Sequence, residues 1–259
     1  MEKCIYLDID MDFFVAPIEK ESVDNIRLYH DGECNTFPIA PMVDKLYNKG
    51  IRWDRNKISV FTNHKTSYTH WWIKKKQNNI LVHIDAHSDL YRNSNKDLRL
   101  LHNGEIGCYN YIWYGIRDCY IGEVYWVIPD SMIGLLDVEK AGSIINSSLI
   151  VEITLDVHGL HILMECIVIT GEVRQIPIHV CTLDQLPYFE ENCDKVTIAT
   201  SPEFVPSACD EVVFELIECF GATKELAQNI YNQHKTMLNK TPEEYEEAWR
   251  KINKIRTAY

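Results

Sequence analysis

Residues 80–89 of this 259-residue chain read Ile-Leu-Val-His-Ile-Asp-Ala-His-Ser-Asp, an apolar run that passes directly into ionisable side chains. The apolar run predicts a strand buried on both faces, as in a parallel sheet. Alternate side chains of a strand share a face, so His83, Asp85 and His87 can project together, and Asp89 can reach them if the chain curves. Binding sites of open α/β sheets form beyond the carboxyl ends of the strands. The stretch therefore predicts both a fold class and the position of a site.

A second acidic stretch follows another apolar run. Residues 4–14 read Cys-Ile-Tyr-Leu-Asp-Ile-Asp-Met-Asp-Phe-Phe, which puts Asp8, Asp10 and Asp12 at a two-residue spacing. Carboxylates this close repel one another and take up protons unless a cation neutralises them. Neither stretch contains Lys or Arg, so the pattern predicts a metal site. Oxygen-rich ligands with imidazole and no thiolate favour Mn²⁺ or Fe²⁺, with Zn²⁺ or Mg²⁺ as alternatives.

Other histidines lie outside these two stretches. His64 follows a third predicted strand and is a further candidate ligand, although a single histidine there is more often a loop residue. More ligands are then present than one ion needs, and two ions about 3.5–4 Å apart would use them. His158 and His161 flank a glycine and are interpreted as turn residues, and His70 as a packing residue.

Eight short apolar segments predict strands, at residues 4–9, 57–62, 80–85, 123–128, 149–155, 160–169, 176–182 and 195–200. Helical patterns cover residues 42–49, 106–116 and 212–220, and a last helix begins at Thr241, where Thr and Glu form a capping pattern. The His-Gly pair within residues 152–162 predicts an antiparallel hairpin. The order of elements predicts an α/β fold in one domain, residues 1–259, with a mostly parallel central sheet flanked by helices.

Composition excludes several classes of function. The net charge is −12, from 26 Lys and Arg against 38 Asp and Glu, which disfavours a general nucleic-acid binder. The nine cysteines form no Cys-x-x-Cys pair, so a structural zinc knuckle is unsupported. No secretory signal is recognised, and no apolar run reaches the roughly 18–20 residues of a membrane span. We therefore expect a cytoplasmic protein with free thiols and no membrane contact.

These motifs carry a family resemblance. "HIDAHSDL" resembles the D-A-H-x-D motif of the arginase–agmatinase–deacetylase superfamily, and "LDIDMDFF" resembles its D-x-D strand. With "FTNH", "NGEIGCYNYIWY" and "ATSPEFVP", the set is similar to an uncharacterised ureohydrolase-like family that includes the peptide arginases of ribosomal peptide natural-product pathways. The resemblance implies a three-layer arginase-like fold. In ordinary arginases the D-x-D strand follows the D-A-H-x-D strand, whereas here it comes first, as in a circular permutation.

The resemblance also implies a set of metal ligands for two Mn²⁺ ions. They are His64, Asp85, His87, Asp89 and two of Asp8, Asp10 and Asp12. Asp10 belongs to either choice, and we favour Asp10 with Asp12. Asp8 then lies two residues before the first ligand, as His83 does before Asp85, a place that suits a residue supporting the ligands.

Three further residues are candidates for catalysis. Glu203, in "SPEF", resembles the carboxylate that orients the guanidinium group in ureohydrolases. His102 and Glu105 are alternatives for the group that gives a proton to the departing amine. The implied function is hydrolysis of arginine side chains in a precursor peptide to ornithine, with release of urea. The implied partner is an arginine-containing peptide, and a homo-oligomer remains open.

Other functions remain open. The chain can be a ureohydrolase of free arginine or agmatine, a metal-dependent phosphoesterase, a deacetylase-like hydrolase, or a metal-binding protein without catalysis. A phosphoesterase would be expected to carry Gly-Asp-x-x-Asp and Gly-Asn-His-Asp/Glu strings, which are missing. A deacetylase with one zinc ion would leave several of the carboxylates without a role. No site for the α-amino and α-carboxylate groups of free arginine is identified.

Overall fold

An eight-stranded sheet forms the centre of the molecule. The structure, a computed structural model, describes residues 3–18, 26–28, 34–91, 93–241, 243–244, 246–248 and 250. The strands are β1 (Ile5–Asp10), β2 (Ile58–Phe61), β3 (Asn79–Ile84), β4 (Ile121–Val127), β5 (Ile150–Asp156), β6 (Gly159–Ile167), β7 (Val173–Cys181) and β8 (Cys193–Ala199). They lie in the order β2-β8-β1-β3-β4-β7-β6-β5. All eight predicted strands are confirmed, with ends shifted by a few residues.

Most of the sheet is parallel. The strands from β2 to β7 in the spatial order pair in parallel, and β6 runs antiparallel to both β7 and β5. β1, β3 and β8 lie side by side and every one of their residues is buried. Their continuous apolar sequences are therefore explained, because both faces of a central parallel strand are covered.

Helices cover both faces of the sheet. They are α1 (Ala40–Asn48), α2 (Thr66–Lys74), α3 (Tyr111–Arg117), α4 (Ala141–Ile144), α5 (Val212–Phe220) and α6 (Lys224–Thr236). Ile5, Leu7 and Ile9 of β1 pack in one core with α1, α5 and α6, whereas Tyr6 packs in the other with α2, α3 and α4. Alternate side chains of β1 thus belong to two different cores. The predicted α/β class, with a mostly parallel sheet flanked by helices, is confirmed.

The helical predictions succeed unequally. Residues 212–220 form α5, which ends at Gly221 with a φ of 87°. The pattern at 106–116 is wrong in its first half, because α3 begins only at Tyr111. The Asn110 side chain accepts a hydrogen bond from the Gly107 amide and donates one to the Glu105 carbonyl, so it satisfies the backbone without a helix.

The ends of the described chain add smaller elements. Two-residue strands Val15–Ala16 and Asn35–Thr36 pair antiparallel, and Ile26–Leu28 pairs in parallel with Leu238–Lys240. Thr241 and Glu244 exchange the two hydrogen bonds of a capping box, as predicted. Parts of that last predicted helix, residues 242, 245, 249 and 251–259, lie outside the described residues. None of the described helices combines the length and apolarity that a membrane crossing requires.

The predicted hairpin joins β5 to β6. Asp156 pairs with Gly159, so only Val157 and His158 form the turn. The interpretation of His161 as a turn residue is wrong: it lies on β6, where its Nε2 is 2.9 Å from the Asp156 carboxylate. The turn is shorter than expected because Gly159, with a φ of 120°, already belongs to the strand.

Replacing Gly159 by alanine should lower the stability of the fold. A Cβ at this position would lie 2.3 Å from the Val180 carbonyl oxygen, and its φ disfavours any L side chain. We expect a loss of about 2 kcal/mol or more in the free energy of unfolding, measured by urea denaturation. Gly134→Ala is the matched control, since a Cβ there meets only Lys140 Nζ at 3.8 Å. Equal stabilities of the two variants would contradict this account of the turn.

Candidate metal centre

The sheet order brings the two acidic stretches together. β1 pairs in parallel with β3, with Asp8 opposite His83, so both strands end at the same edge. Asp10 ends β1, and Asp12 lies in the short 3-10 helix Met11–Phe14 that follows. The D-x-D strand therefore joins the same parallel sheet despite its early place in the sequence.

Local hydrogen bonds orient the carboxylates at this edge. Asp10 Oδ1 accepts from the Asp12 amide at 3.2 Å, and Asp85 Oδ1 accepts from the His87 amide at 2.6 Å. In each case one oxygen holds the loop, and the other lies 3.0 Å from His64 Nδ1. Asp89 has a φ of 48°, a left-handed backbone that turns its side chain back toward the strand end.

Three carboxylate oxygens converge on His64. The Nδ1 atom of His64 is 3.0 Å from Asp10 Oδ2, 3.0 Å from Asp85 Oδ2 and 3.3 Å from Asp89 Oδ2. Both His64 Nδ1 and Asp85 Oδ2 are buried and have no hydrogen-bond partner. Buried polar atoms without a partner cost free energy, and Asp10, His64 and Asp85 lie close enough together to hold a cation. Asp89 lies close enough to hold one together with His83 and Asp85. These residues therefore fit a metal ion.

A second group of ligand atoms lies beside the first. His87 Nδ1 is 2.8 Å from Asp12 Oδ2 and 3.5 Å from Asp85 Oδ1. Asp12, Asp85 and His87 can hold a metal ion, as can Asp10, His64 and Asp85. Asp85 belongs to both groups, with one oxygen toward each imidazole. We call the four residues His64, Asp10, Asp85 and Asp89 position A, and Asp12, Asp85 and His87 position B.

Asp8 differs from the other aspartates, because both of its oxygens are already occupied. They lie within hydrogen-bond distance of five side chains, namely Ser67, Thr197, His64, His83 and Tyr111. The contact with His64 is 3.0 Å long and uses Nε2. With Nε2 as the donor, Nδ1 keeps its lone pair for a metal. This geometry fits Asp8 as a support of His64, although Asp8, His64 and His83 also lie close enough to hold an ion.

Negative charge exceeds positive charge in the cluster. Burial, followed by the charges of Asp10 and Asp85, raises the pKa of Asp12 to about 7. Burial and Asp85 likewise raise the pKa of Asp89 well above its ordinary value. Burial opposes the charged form of His87, but Asp12 and Asp85 outweigh it and raise that pKa to about 12. Without a cation the cluster would hold protons, and metal binding would release them.

Histidines hold the Asp8 charge in place. Burial acts to raise the pKa of Asp8, but attraction and hydrogen bonds from His64 and His83 outweigh it and keep the pKa well below its ordinary value. Burial also acts to lower the pKa of His64, which the Asp8 and Asp10 carboxylates raise well above its ordinary value instead. Asp8 therefore stays charged and acts as a fixed acceptor beneath position A.

The turn that carries Glu203 lies against the cluster. Ser201 Oγ donates to Asp10 Oδ2, and the ring centroids of Phe204 and His87 lie 4.7 Å apart. Glu203 stands between these two contacts and is half-buried. The structure thus brings the predicted segment to the metal centre.

The other two catalytic candidates lie apart from these contacts. His102 and Glu105 are exposed, in and next to the 3-10 helix Asn103–Glu105 that precedes α3. His102 accepts from the Tyr114 hydroxyl, and Glu105 accepts from Asn110, in both cases through the backbone carbonyl. Among the described residues, no hydrogen bond or ion pair joins either side chain to the cluster. Their role in proton transfer stays a prediction.

Several residues that support the cluster were not predicted from the sequence. They are Ser67, Tyr111, Thr197 and Ser201. Thr197 had a visible signal, as a polar residue inside an apolar strand segment, and Ser67 lies one helical turn after His64. Tyr111 had no such signal, because an aromatic residue at the start of a helix is ordinary core. His70, interpreted as a packing residue, stacks on Phe61 with ring centroids 5.6 Å apart.

Comparison with known proteins adds no family to this description. No family model, no curated protein and no solved structure matches the chain. The chemistry of the site is therefore inferred from its own geometry, above all from the carboxylate oxygens around His64 Nδ1.

Divalent metal should stabilise the protein through Asp85. At a free Mn²⁺ concentration 100-fold above Kd, linkage predicts about 2.7 kcal/mol of stabilisation per bound ion. Asp85→Asn should abolish most of the rise in Tm with Mn²⁺, because Asp85 contributes to both positions. Asp44→Asn, an exposed change on α1, is the control and should keep the rise in Tm with Mn²⁺. A full Mn²⁺-dependent rise in the Asp85→Asn variant would refute the proposed ligand set, and calorimetric titration would count the ions.

Proposed function

We propose that this chain is a dinuclear manganese hydrolase of guanidinium groups, acting on arginine side chains within a peptide. The single observation that carries the proposal is Asp85, which is shared between ligand atoms around His64 Nδ1 and ligand atoms around His87 Nδ1. A bridging carboxylate between two imidazole-containing positions is typical of two-metal hydrolases. It supports the arginase-like, ureohydrolase resemblance of the sequence, with maturation of a ribosomal peptide in the cytoplasm as the proposed setting.

The ligand assignment follows the contacts. We assign His64, Asp10, Asp85 and Asp89 to the first ion, and Asp12, Asp85 and His87 to the second. Asp8 is assigned to orient His64, since the Asp8 oxygens are occupied by five side chains, of which His64 is one. Carboxylate oxygens with one imidazole per ion suit Mn²⁺.

The reaction follows from the electronic structure of the substrate. Resonance makes the guanidinium carbon a poor electrophile. The residues of positions A and B would hold Mn²⁺, which would supply a water-derived nucleophile at neutral pH. The bond between Cζ and Nε of the substrate breaks, with one water consumed and urea and an ornithine side chain formed. The departing nitrogen needs a proton, for which His102 and Glu105 remain the candidates.

The chain's own residues supply orientation and shielding. Glu203 accepts paired hydrogen bonds from the guanidinium group and fixes its carbon over the centre. The Phe204 ring lies beside the His87 ring, with the two centroids 4.7 Å apart. Asp8 and His83 keep the His64 ring in one orientation from below.

Exposed tyrosines at the rim of the centre support a peptide as the substrate. Tyr91, two residues after Asp89, is exposed, and its amide donates to the carbonyl of Tyr109, whose side chain is also exposed. Such a rim offers aromatic surface to an extended peptide.

Mass spectrometry of Mn²⁺-loaded protein with substrates tests the proposal. Arginine-containing peptides should lose the mass of CH₂N₂ per reacting arginine, with urea released in equal amount. Free arginine should remain unchanged. Asp10→Ala should abolish the reaction, because it removes a ligand and the acceptor of Ser201.

Each alternative result has a distinct meaning. Reaction of free arginine alone would make the protein a metabolic ureohydrolase. No reaction of either substrate, with two ions bound, would reject guanidinium hydrolysis for these substrates and favour phosphoesters or acylated amines.

Glu203→Gln should impair catalysis without loss of metal. The amide keeps the size of the side chain but cannot form a charged pair with the guanidinium, so kcat/KM should fall roughly 100-fold. Mn²⁺ content, measured by elemental analysis, should match that of the parent. Glu190→Gln is the control, an exposed change expected to leave kinetics unchanged. Unchanged kinetics in Glu203→Gln would remove this residue from the mechanism.

A further inference from the structure

A buried ionic network lies beneath the turn that carries Glu203. Arg27 and Asp210 are each 1% exposed and His234 is fully buried. Arg27 Nη1 and Nη2 lie 3.0 and 2.8 Å from the two oxygens of Asp210, a bidentate pair. His234 Nδ1 lies 2.9 Å from Asp210 as well. Burying such charges is costly, so a fold that keeps them gains little stability from the pair itself.

The remaining donors of Arg27 hold the turn. Its Nε donates to the Pro202 carbonyl at 2.9 Å, and Nη2 donates to the Val205 carbonyl at 2.7 Å. These two carbonyls flank Glu203 and Phe204 in the sequence. A guanidinium group is planar and presents its donors in a fixed fork, so one side chain fixes both ends of the turn at once.

The opposite side of the turn faces the metal centre. The Phe204 amide donates to the Ser201 carbonyl at 2.8 Å, and Ser201 has a φ of 33°, unusual for a residue with a side chain. Ser201 also donates to Asp10, and the Phe204 ring lies against the His87 ring at an interplanar angle of 49°. The turn is therefore fixed between Arg27 on one side and two of the assigned metal ligands on the other.

The network also connects this turn to α6. His234 is on α6, and its Nε2 lies 2.8 Å from Thr200 Oγ1, directly before the turn. Asp210 accepts from His234 and Arg27 together, so helix, short strand and turn meet at one carboxylate. Ala227 and Ile230 of α6 also pack in the hydrophobic core. Arg27 donates two hydrogen bonds to Asp210 and two to the carbonyls of the turn, so half of its hydrogen bonds go to the segment that carries Glu203.

We propose that Arg27 is a positioning residue, which sets the place of Glu203 over the metal centre through the carbonyls of Pro202 and Val205. This inference rests on the proposed function, because it assigns Arg27 an effect on the guanidinium-orienting step. Arg27 does not touch the substrate. Its contribution passes through the backbone of residues 202–205.

The test compares Arg27→Lys with the parent in the Mn²⁺-loaded full chain. Lysine keeps the charge opposite Asp210, which limits the risk of unfolding, but one ammonium group cannot reach a carboxylate and two carbonyls in the geometry of the fork. We expect kcat/KM for the arginine peptide to fall roughly 10- to 100-fold with unchanged Mn²⁺ content. Hydrogen exchange should accelerate at the Phe204 amide. Ile230→Val, a buried change on α6, is the control and should change neither kcat/KM nor the exchange rate of the Phe204 amide.

A double-mutant cycle separates positioning from general destabilisation. In a Glu203→Gln background, Arg27→Lys should add less than about a twofold loss, because both changes remove the same interaction. Multiplicative losses, or unchanged exchange at Phe204, would overturn the inference.

If the parent protein hydrolyses no guanidinium group, the proposed function fails. The hydrogen-exchange data still test whether Arg27 positions the turn. Acceleration confined to residues 201–205 in Arg27→Lys would support the positioning of the turn. Exchange equal to that of the parent would reject it.

Discussion

Repulsion among buried carboxylates is the constraint on which this structure depends. Five aspartates lie within one small volume at the edge of the sheet, all buried, namely Asp8, Asp10, Asp12, Asp85 and Asp89. Three imidazoles cannot balance them, and His64 Nδ1 lies among three carboxylate oxygens without a hydrogen bond. Protons on some of these carboxylates, or cations placed between them, would relieve the repulsion. The loops, the supporting hydroxyl groups and the turn around Ser201 all serve to keep these oxygens in place.

The parallel sheet sorts the charged residues into two levels. Asp8 and His83 are paired neighbours within β1 and β3, and they point toward α2 and α3, where Ser67 and Tyr111 meet them. The residues beyond the strand ends form the upper level, where ligand oxygens face one another. The lower level fixes the imidazole of His64 by hydrogen bonds, and the upper level supplies the ligands.

The sequence predicted much of this because its signals are local. Apolar runs located all eight strands, and the two-residue spacing of the aspartates put them on one edge. The helix at α2 was missed because Trp71 and its aromatic and β-branched neighbours have strand propensity, which tertiary packing against Tyr6 overrides. Tyr111 and Ser201 were missed for another reason. Their roles arise from contacts across the fold, which no spacing in the sequence encodes.

The place of β1 in the sheet has a consequence for the order of folding. β1 precedes every other strand of the sheet, yet it lies between β8 and β3. Asp8 and Thr197, which bond across β1 and β8, are separated by 189 positions in the sequence. Closing so long a loop is slow, and it must be completed before Thr197 can donate to Asp8. During synthesis β1 can pair with β3 early, but its other edge waits for β8, the last strand of the sheet. A nascent chain halted after β7 would hold its assigned metal ligands without Thr197, which donates to Asp8.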